Sequence, residues 1–192
     1  LCNLGNVDSK EAAYDRAEER FEHALRIARD TGDRQLEADV LGNAGCLYDD
    51  TGRPAQARDV YEKALELARR YGDRAGEARH LGNLGILHKN AGDLEKAIEL
   101  YGEQLAIARD LRDTRTQAIA LNNLGLAATQ QERLEDAAAS FEEALAIRRR
   151  LGDRPGEATT LGALGLVFRR RGEPARAAEV FRQWREIARD TG

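Results

Sequence analysis

The sequence predicts an all-α protein built from stacked helical hairpins, and two observations carry this prediction. The first is composition: only three prolines occur among 192 residues, while Ala, Leu, Glu and Arg, which favour helices, are abundant. The second is internal repetition at an interval of forty residues along the whole chain. One hairpin of this size cannot bury its own apolar face, so successive units must stack against one another.

Four residue types recur at this interval in every unit: a leucine, a glycine, an alanine and an aromatic residue. They are Leu1, Leu41, Leu81, Leu121 and Leu161; Gly5, Gly45, Gly85, Gly125 and Gly165; Ala17, Ala57, Ala97, Ala137 and Ala177; and Phe21, Tyr61, Tyr101, Phe141 and Phe181. Four independent registers with one interval do not arise by chance. We therefore predict a single domain of repeats 1–40, 41–80, 81–120, 121–160 and 161–192. Because the sequence begins at Leu1 and contains no methionine, we expect it to be a fragment of a longer chain.

The third repeat shows most clearly how one unit is organised. A first stripe at helical spacing consists of Leu81, Leu84, Gly85 and His88, and a second consists of Leu94, Ala97, Ile98, Tyr101, Leu105 and Ala108. The pair Gly92-Asp93 between them predicts a turn, with Asp93 capping the second helix. Gly32-Asp33, Gly72-Asp73 and Gly152-Asp153 predict the turns before the first helix. Each repeat thus holds a helix A, a turn and a helix B, and Gly85 and Ala97 allow A and B to approach closely.

The repeat resembles the tetratricopeptide repeat in its long-helix form, which occurs in kinesin light chains, polarity adaptors and bacterial signalling regulators. The residues that carry the resemblance are Leu81, Leu84, Gly85, Gly92, Ala97, Tyr101 and, in the second unit, Ala64. The resemblance implies a right-handed superhelical solenoid of five helix-turn-helix repeats, whose A helices line a concave groove. The sequence departs from the family pattern at two turns and at two alanine positions, namely at Ala12-Ala13, Glu132-Arg133, Gln104 and Trp184.

Sequence motifs for catalysis are missing. Neither Ser9 nor Ser140 lies in a G-x-S-x-G elbow, and no glycine-rich loop is followed by Lys-Ser or Lys-Thr. The net charge of −4 is not that of a nucleic-acid-binding domain. The longest apolar run, Leu161 to Phe168, is far shorter than the ~20 residues of a membrane span. We therefore expect no enzymatic activity, no cofactor, and neither nucleic acid nor a membrane as a partner.

The histidines and cysteines do not form the pattern of a metal site. His23 falls on helix B, His88 at a packing position and His80 beside a core leucine, so we interpret them as packing or surface residues. Cys2 and Cys46 are interpreted as small apolar residues, with a redox pair as the alternative. Two cysteines are too few for a disulfide framework, which favours a reducing, cytoplasmic location. Carboxylates lie three or four residues from Arg or Lys on the helices and are interpreted as solvated surface pairs.

Helix A is predicted to carry a second face, opposite its packing stripe, that a ligand would contact. At about 100° per residue, the stripe through Leu81 and Leu84 lies opposite Arg79, Asn83, Ile86 and Asn90. One register of this face reads Asn3, Asn43, Asn83, Asn123 and Ala163, and the next reads Asn6, Cys46, Ile86, Leu126 and Leu166. A column of amides beside an apolar column suits an extended peptide, and in the adaptors that the sequence resembles this asparagine register contacts peptides. The alternative is that the amides bridge adjacent A helices or bind water.

Charge changes along the chain in a way that would orient such a ligand. The first repeat has six Lys and Arg against ten Asp and Glu, whereas the fifth has seven against four. The groove-edge residues that follow this trend are Asp8, Asp39, Asp49 and Asp50 at one end, Lys89 midway, and Arg169 and Arg170 at the other. A ligand of graded charge would be steered into one orientation. The alternative is that Arg169 to Arg171 form a solvated helix end, where cations suit the helix dipole.

These observations predict a non-enzymatic protein-interaction module that binds an extended peptide or partner segment in its concave groove. Two alternatives stay open. The first is a sensory or autoinhibitory segment of a larger bacterial signalling or transcriptional regulator, and the second is a structural or self-assembling solenoid. Because the terminal repeats lack a polar cap, we also expect end-to-end self-association or fraying of the first repeat.

Overall fold

The computed structural model describes residues 14–191, apart from the side chains of residues 15, 190 and 191, and all regular structure in that range is α-helical. The helices are α1 Tyr14–Thr31, α2 Arg34–Asp50, α3 Pro54–Tyr71, α4 Arg74–Asn90, α5 Leu94–Asp110, α6 Thr114–Gln130, α7 Leu134–Leu151, α8 Arg154–Arg170 and α9 Pro174–Thr191. The predicted all-α fold class is confirmed. The part of the sequence argument that falls on Leu1, Cys2, Asn3, Gly5, Asn6, Asp8, Ser9 and Ala12-Ala13 lies outside the described residues.

The even-numbered helices are the A helices of the repeat, and the odd-numbered helices are the B helices. Two compact units divide the chain, Leu1–Ala91 and Gly92–Gly192. Within the first unit, α2 packs against α1 and α3, and α4 packs against α3 and, more lightly, α2. Within the second unit, each helix from α5 to α9 packs against the next, and α6 also contacts α8. The helical-repeat architecture is confirmed, whereas the single domain of five repeats stays a prediction.

Aspartates cap the starts of the A helices. The carboxylates of Asp33, Asp73, Asp113 and Asp153 accept hydrogen bonds from the backbone N–H groups of Leu36, Gly76, Thr116 and Gly156, respectively. Asp93 accepts one from the backbone N–H of Lys96 at 3.3 Å, at the start of a B helix. Each bond satisfies an N–H group that has no partner inside its own helix. The capping turns predicted at Asp33, Asp73, Asp93 and Asp153 are therefore confirmed.

The turns between helices contain residues in the left-handed backbone conformation. The glycine at the end of α3, Gly72, has a φ of 72°, and its counterpart after α7, Gly152, has a φ of 66°. Two turns lack glycine, yet Arg112 and Glu132 adopt the same conformation, with φ of 55° and 60°. Non-glycine residues rarely adopt this conformation because Cβ approaches the following carbonyl group. The packing of the hairpins thus fixes the turn even where the residue opposes it.

The glycine register of helix A leaves room for the aromatic register of helix B. A Cβ atom built on Gly125 would lie 2.7 Å from Cε1 of Phe141, and one built on Gly165 would lie 2.6 Å from Cε1 of Phe181. Gly45 stands in the same relation to Tyr61. Phe141 and Tyr61 are buried, so their rings have no free direction in which to move. The close approach expected from the sequence is present in these hairpins, and the ring is what requires the glycine.

Buried glutamates join a B helix to the A helix that follows it. Glu37 receives hydrogen bonds from Arg29 Nε and Arg34 Nη1, both at 2.8 Å. Burial by itself raises the pKa of the Glu37 carboxyl, but the two arginines outweigh burial and hold that pKa below its ordinary value. Glu37 is almost fully buried, so the interpretation of the carboxylates as solvated pairs is wrong here.

The same ionic cluster recurs once more in each unit. Glu77 pairs with Arg69 and Arg74, and Glu157 pairs with Arg149 and Arg154. In the third repeat, Gln117 takes the place of the glutamate, and its Nε2 donates to the backbone carbonyl of Ala108 at 3.0 Å. The cluster therefore joins three of the four successive B-to-A junctions in the described range.

Within each unit, the two A helices meet through one further register, and the residue in that register differs between the units. In the first unit, the fully buried His80 of α4 lies against Gly42 of α2, where an added Cβ would come 2.7 Å from Cε1 of the imidazole. Neither ring nitrogen of His80 has a hydrogen-bond partner, and burial lowers the pKa of His80 to about 4. In the second unit, Thr160 occupies the same register, and its hydroxyl shares its single proton between Asn122 Oδ1 at 3.4 Å and the backbone carbonyl of Gly156 at 3.1 Å. His80 is thus a packing residue, as predicted.

Replacing Gly125 with alanine should destabilise the second unit by about 1–3 kcal/mol, because the new Cβ forces the buried ring of Phe141 to move. Gly102 is the matched control, since a Cβ added there would meet no atom within 4 Å. Gly102→Ala should stabilise the protein by about 0.5–1 kcal/mol, the ordinary advantage of alanine over glycine in a helix. Urea unfolding measures both changes. Equal effects of the two substitutions would show that the Gly125 contact is not close.

Lowering the pH should destabilise the protein partly through His80. The unfolded chain takes up a proton on this side chain near pH 6.5, but the folded chain does so only near pH 4, so stability is lost as the pH falls through that window. Protonation of His80 accounts for about 3 kcal/mol of this loss of stability at most. His80→Val, which copies Val40 in the same register, should remove that part of the pH dependence of urea unfolding. Gly102→Ala, which leaves His80 in place, is the control and should leave the pH dependence as it is.

Candidate functional site

The A helices have one buried and one accessible face, as the sequence predicts. In α4, Leu81, Leu84 and Gly85 are buried, whereas Arg79, Ile86 and Asn90 are exposed and Asn83 is half-buried. The structure therefore places the predicted ligand-contacting residues of this helix on its accessible side. The same register gives Asp39 and Asn43 on α2 in the first unit, and Asn123 on α6 with Leu166 on α8 in the second.

The asparagine register carries amides that the fold does not use. Asn43, Asn83 and Asn123 are half-buried, and none of their side chains forms a hydrogen bond to any residue that the structure describes. The neighbouring Asn122 is different, because it is buried and accepts the hydrogen bond from Thr160 of the next A helix. The bridging role considered as an alternative for the predicted column therefore belongs to Asn122.

The apolar register beside the amides is partly exposed. Ile86 in the first unit and Leu166 in the second are accessible, while Leu126 is half-buried and packs against the core around Phe141. Ile119 on α6 is 43% exposed and also faces this side, one turn before Asn123. Cys46 accepts a hydrogen bond from Tyr61 Oη at 3.3 Å. Ile119 was missed because charged or polar residues occupy its register elsewhere, at Asp39, Arg79 and Thr159.

Two of the predicted charged contacts are ion pairs between successive A helices. Arg79 Nη2 pairs with Asp39 Oδ1 in the first unit. In the second unit, Arg170 donates to the carbonyl of Thr129 at 3.2 Å and pairs with Glu132. Asp39, Arg79 and Arg170 therefore support the surface on which the asparagines lie, and their charges are balanced locally.

The other charged residues that the sequence predicts to contact a ligand lack an ion-pair partner among the described residues. Within residues 14–191, Asp49, Asp50, Lys89 and Arg169 form no ion pair. Partial burial, together with the negative charge of Asp50, raises the pKa of the Asp49 carboxyl. Any orientation of a ligand by charge must therefore depend on Asp49, Asp50 and Lys89 in the first unit and on Arg169 in the second.

Positions that depart from the family pattern contain polar or bulky side chains. Gln104 is buried and its Oε1 has no hydrogen-bond partner, and the buried hydroxyl of Tyr101 has none either. Burial raises the pKa of Tyr101. Trp184 is exposed on α9, with its indole Nε1 3.8 Å from where a Cβ of Gly162 would lie.

A metal site and a membrane-spanning helix are two further kinds of feature to consider among the described residues. Among them, no group of three or more His, Cys, Asp or Glu side chains could coordinate a metal ion. None of the described helices combines the length and the apolar character that a bilayer span requires.

The described helices form an all-α repeat structure, and its candidate site consists of accessible helix faces. A family model described as tetratricopeptide repeat matches residues 1–70, 50–110 and 116–190. The chain therefore belongs to the tetratricopeptide repeat family. This fold is generally a non-catalytic scaffold for protein interactions, and in that sense the chain is a protein-interaction module. A search of curated protein sequences returns no significant match.

Solved structures share the fold over almost the whole chain. BtubC (BKLC) from P. vanneervenii is 26% identical and superposes with a TM-score of 0.91 over 98% of this chain and 78% of its own. The apo form of RapI is 17% identical, with a TM-score of 0.89 over 98% of this chain and 69% of its own. A STAND protein with a tetratricopeptide repeat sensor from Pyrococcus horikoshii is 13% identical, with a TM-score of 0.84 over 96% of this chain and 28% of its own. The two lower identities show the fold alone.

Removing the buried hydroxyl of Tyr101 should stabilise the protein. Tyr101→Phe, which copies Phe141 in the same register, relieves a buried hydroxyl without a partner, and we expect a gain of about 1 kcal/mol in thermal or urea unfolding. Tyr61→Phe is the matched control, because it deletes a hydroxyl that donates to Cys46. It should bring no gain. A loss of stability in Tyr101→Phe would mean that its hydroxyl is bonded.

Proposed function

We propose that the chain is a non-enzymatic module that binds an extended peptide or partner segment along the accessible faces of its A helices. The observation that carries the proposal is the set of half-buried amides on Asn43, Asn83 and Asn123, which form no hydrogen bond within the described part of the chain. An amide side chain offers one acceptor and two donors, which matches the N–H and C=O groups of an extended backbone. Such a ligand would satisfy groups that the fold leaves to solvent.

The apolar and charged neighbours of the asparagines extend the proposal to ligand side chains. Ile86 in the first unit, and Ile119 and Leu166 in the second, would contact apolar side chains of the ligand. Asp49 and Asp50 would attract a basic segment in the first unit, and Arg169 an acidic one in the second. Because the exposed charges are screened over ~8 Å at physiological salt, they would affect orientation and association rate more than affinity.

A peptide selected by display on the purified chain would provide the ligand for the test. Titration calorimetry of Asn83→Ala and Asn123→Ala, singly and together, examines one amide in each unit. Each lost amide typically costs about 1–3 kcal/mol, so the double variant should bind about thirty-fold more weakly or worse if the costs add. The fold should survive, because these side chains lie off the packing stripe.

Gln56→Ala removes an exposed amide from a B helix and serves as the control, with unchanged affinity expected. Unchanged affinity in the double variant would place the binding surface away from the A helices. Loss in only one of the single variants would restrict the ligand to that unit.

The alternative of a sensory segment in a larger regulator has one observation in its favour. The STAND protein from Pyrococcus horikoshii carries a tetratricopeptide repeat sensor of the same fold, which makes up only part of that chain. In such a regulator, the segment bound by the A helices would belong to the same polypeptide. The Asn variants would then change the regulator's activity rather than its affinity for a separate protein.

A further inference from the structure

A second accessible surface lies at the edge of the second unit where B helices end and A helices begin. Near this edge, Ala118 and Leu121 of α6 pack with Ala144 and Ile147 of α7, so the start of α6 lies beside the end of α7. Arg149 at the end of α7 bonds Glu157 in the first turn of α8. Gln117 similarly joins the start of α6 to the end of α5. We call this surface the helix-end edge; its accessible residues include the apolar and basic side chains of Leu111, Arg112, Arg115, Arg150 and Leu151 and the acidic side chains of Asp110 and Asp113.

Two large apolar side chains are exposed at the helix-end edge. Leu111 follows the last turn of α5 and is 46% exposed, and Leu151 ends α7 and is 44% exposed. They occupy the same register forty residues apart, so the exposure is a repeated feature of this edge. The edge therefore presents an accessible apolar side chain at each of these two positions.

Three exposed arginines accompany these leucines. Arg112, Arg115 and Arg150 are exposed, and their guanidinium groups make no hydrogen bond or ion pair within the described residues. By contrast, Arg109 and Arg149, which lie close by in sequence, pair with Glu143 and Glu157. Arginines with and without an ion pair therefore occur here, although Arg115 lies close enough to the Asp113 carboxylate to interact with it electrostatically.

Arg112 is the most informative of the three. Its backbone has a φ of 55°, and the corresponding turns use Gly32, Gly72 and Gly152. A non-glycine residue in this conformation is disfavoured, because its Cβ approaches the following carbonyl group. The side chain returns no contact that would offset this cost, so its presence is better explained by something outside the fold.

A buried arginine adds positive charge beneath the edge. Arg148 is only 8% exposed and occupies a register that holds alanine elsewhere, at Ala28, Ala68 and Ala108. Its Nη1 donates to the carbonyl of Gly156, but its Nε has no acceptor and no carboxylate pairs with it. This guanidinium is therefore a buried cation without an ion pair, although the Asp153 carboxylate is near enough to interact with it electrostatically.

We propose that the helix-end edge docks an acidic segment of a partner protein, whose carboxylates pair with Arg112, Arg115 and Arg150 while its apolar side chains contact Leu111 and Leu151. Planar guanidinium groups bind carboxylates through paired hydrogen bonds, which favours discrete acidic side chains. Asp113 and Asp153 stand among the arginines as helix caps and would be repelled by the continuous negative charge of a lipid surface. The mixed charge of this edge thus favours a protein over an anionic bilayer.

Fluorescence anisotropy with a labelled peptide of three Glu-Glu-Leu-Ser units tests the proposal. The triple variant Arg112→Gly, Arg115→Gln, Arg150→Gln should bind this peptide roughly ten-fold more weakly, the combined effect expected of three exposed ion pairs. The control triple variant Arg133→Gln, Arg182→Gln, Arg185→Gln removes the same charge from other exposed positions of the second unit and should bind within about two-fold of the parent chain. Arg112→Gly alone should not lower the melting temperature, because glycine suits that backbone conformation.

Four outcomes would overturn the proposal. The first is that the parent chain does not bind the peptide, the second that both triple variants lose affinity equally, and the third that the parent chain binds phosphatidylserine vesicles in place of the peptide. The fourth is that the double variant Asn123→Ala, Leu166→Ala no longer binds the peptide, which would put the peptide on the A-helix face. Retained binding in that last variant, with loss in the edge variant, supports a separate docking surface.

Discussion

The close approach of a glycine on helix A to an aromatic ring on helix B is the contact on which the hairpins depend. Phe141 fits against Gly125, Phe181 against Gly165 and Tyr61 against Gly45. Because the ring lies directly over the backbone of helix A, this contact fixes both the distance between the helices and the rotation of helix A about its axis. Once that rotation is fixed, the residues opposite the glycine must face away from the packing. The accessibility of Asn43 and Asn123 thus follows from a contact on the other side of the same helices.

Joining one hairpin to the next requires different chemistry. The buried glutamates Glu37, Glu77 and Glu157 each bind one arginine from the preceding B helix and one from their own first turn. A carboxylate buried without partners would be strongly unfavourable, and removing one arginine would leave part of that charge uncompensated. The geometry of this cluster therefore selects one orientation of helix A relative to the B helix before it. Gln117, at the one junction that lacks the glutamate, gives a neutral hydrogen bond to a backbone carbonyl.

The sequence predicts those features that depend on local chemistry or on the period. Helices, turns, aspartate caps and the two faces of helix A follow from spacing within a few residues, and the structure confirms them. Features that depend on geometry between repeats could not be predicted in this way. Glu37 has the spacing of a solvated surface pair, yet a neighbouring helix buries it. Arg79 and Asp39 are forty residues apart, and only the packing of α4 beside α2 reveals that they form an ion pair.

A repeat protein supplies its own comparison for each residue, and that comparison separates structural from functional roles. Asn122 and Asn123 are adjacent on α6. The Asn122 side chain is buried and hydrogen-bonded to Thr160, whereas the Asn123 side chain forms no hydrogen bond to a described residue. Position on the helix, not residue type, thus decides which amide the fold uses. Arg112 extends the argument, since it opposes the backbone conformation that its glycine counterparts favour and makes no compensating contact. Residues that depart from their counterparts and stabilise nothing nearby are those from which we infer a partner outside the chain.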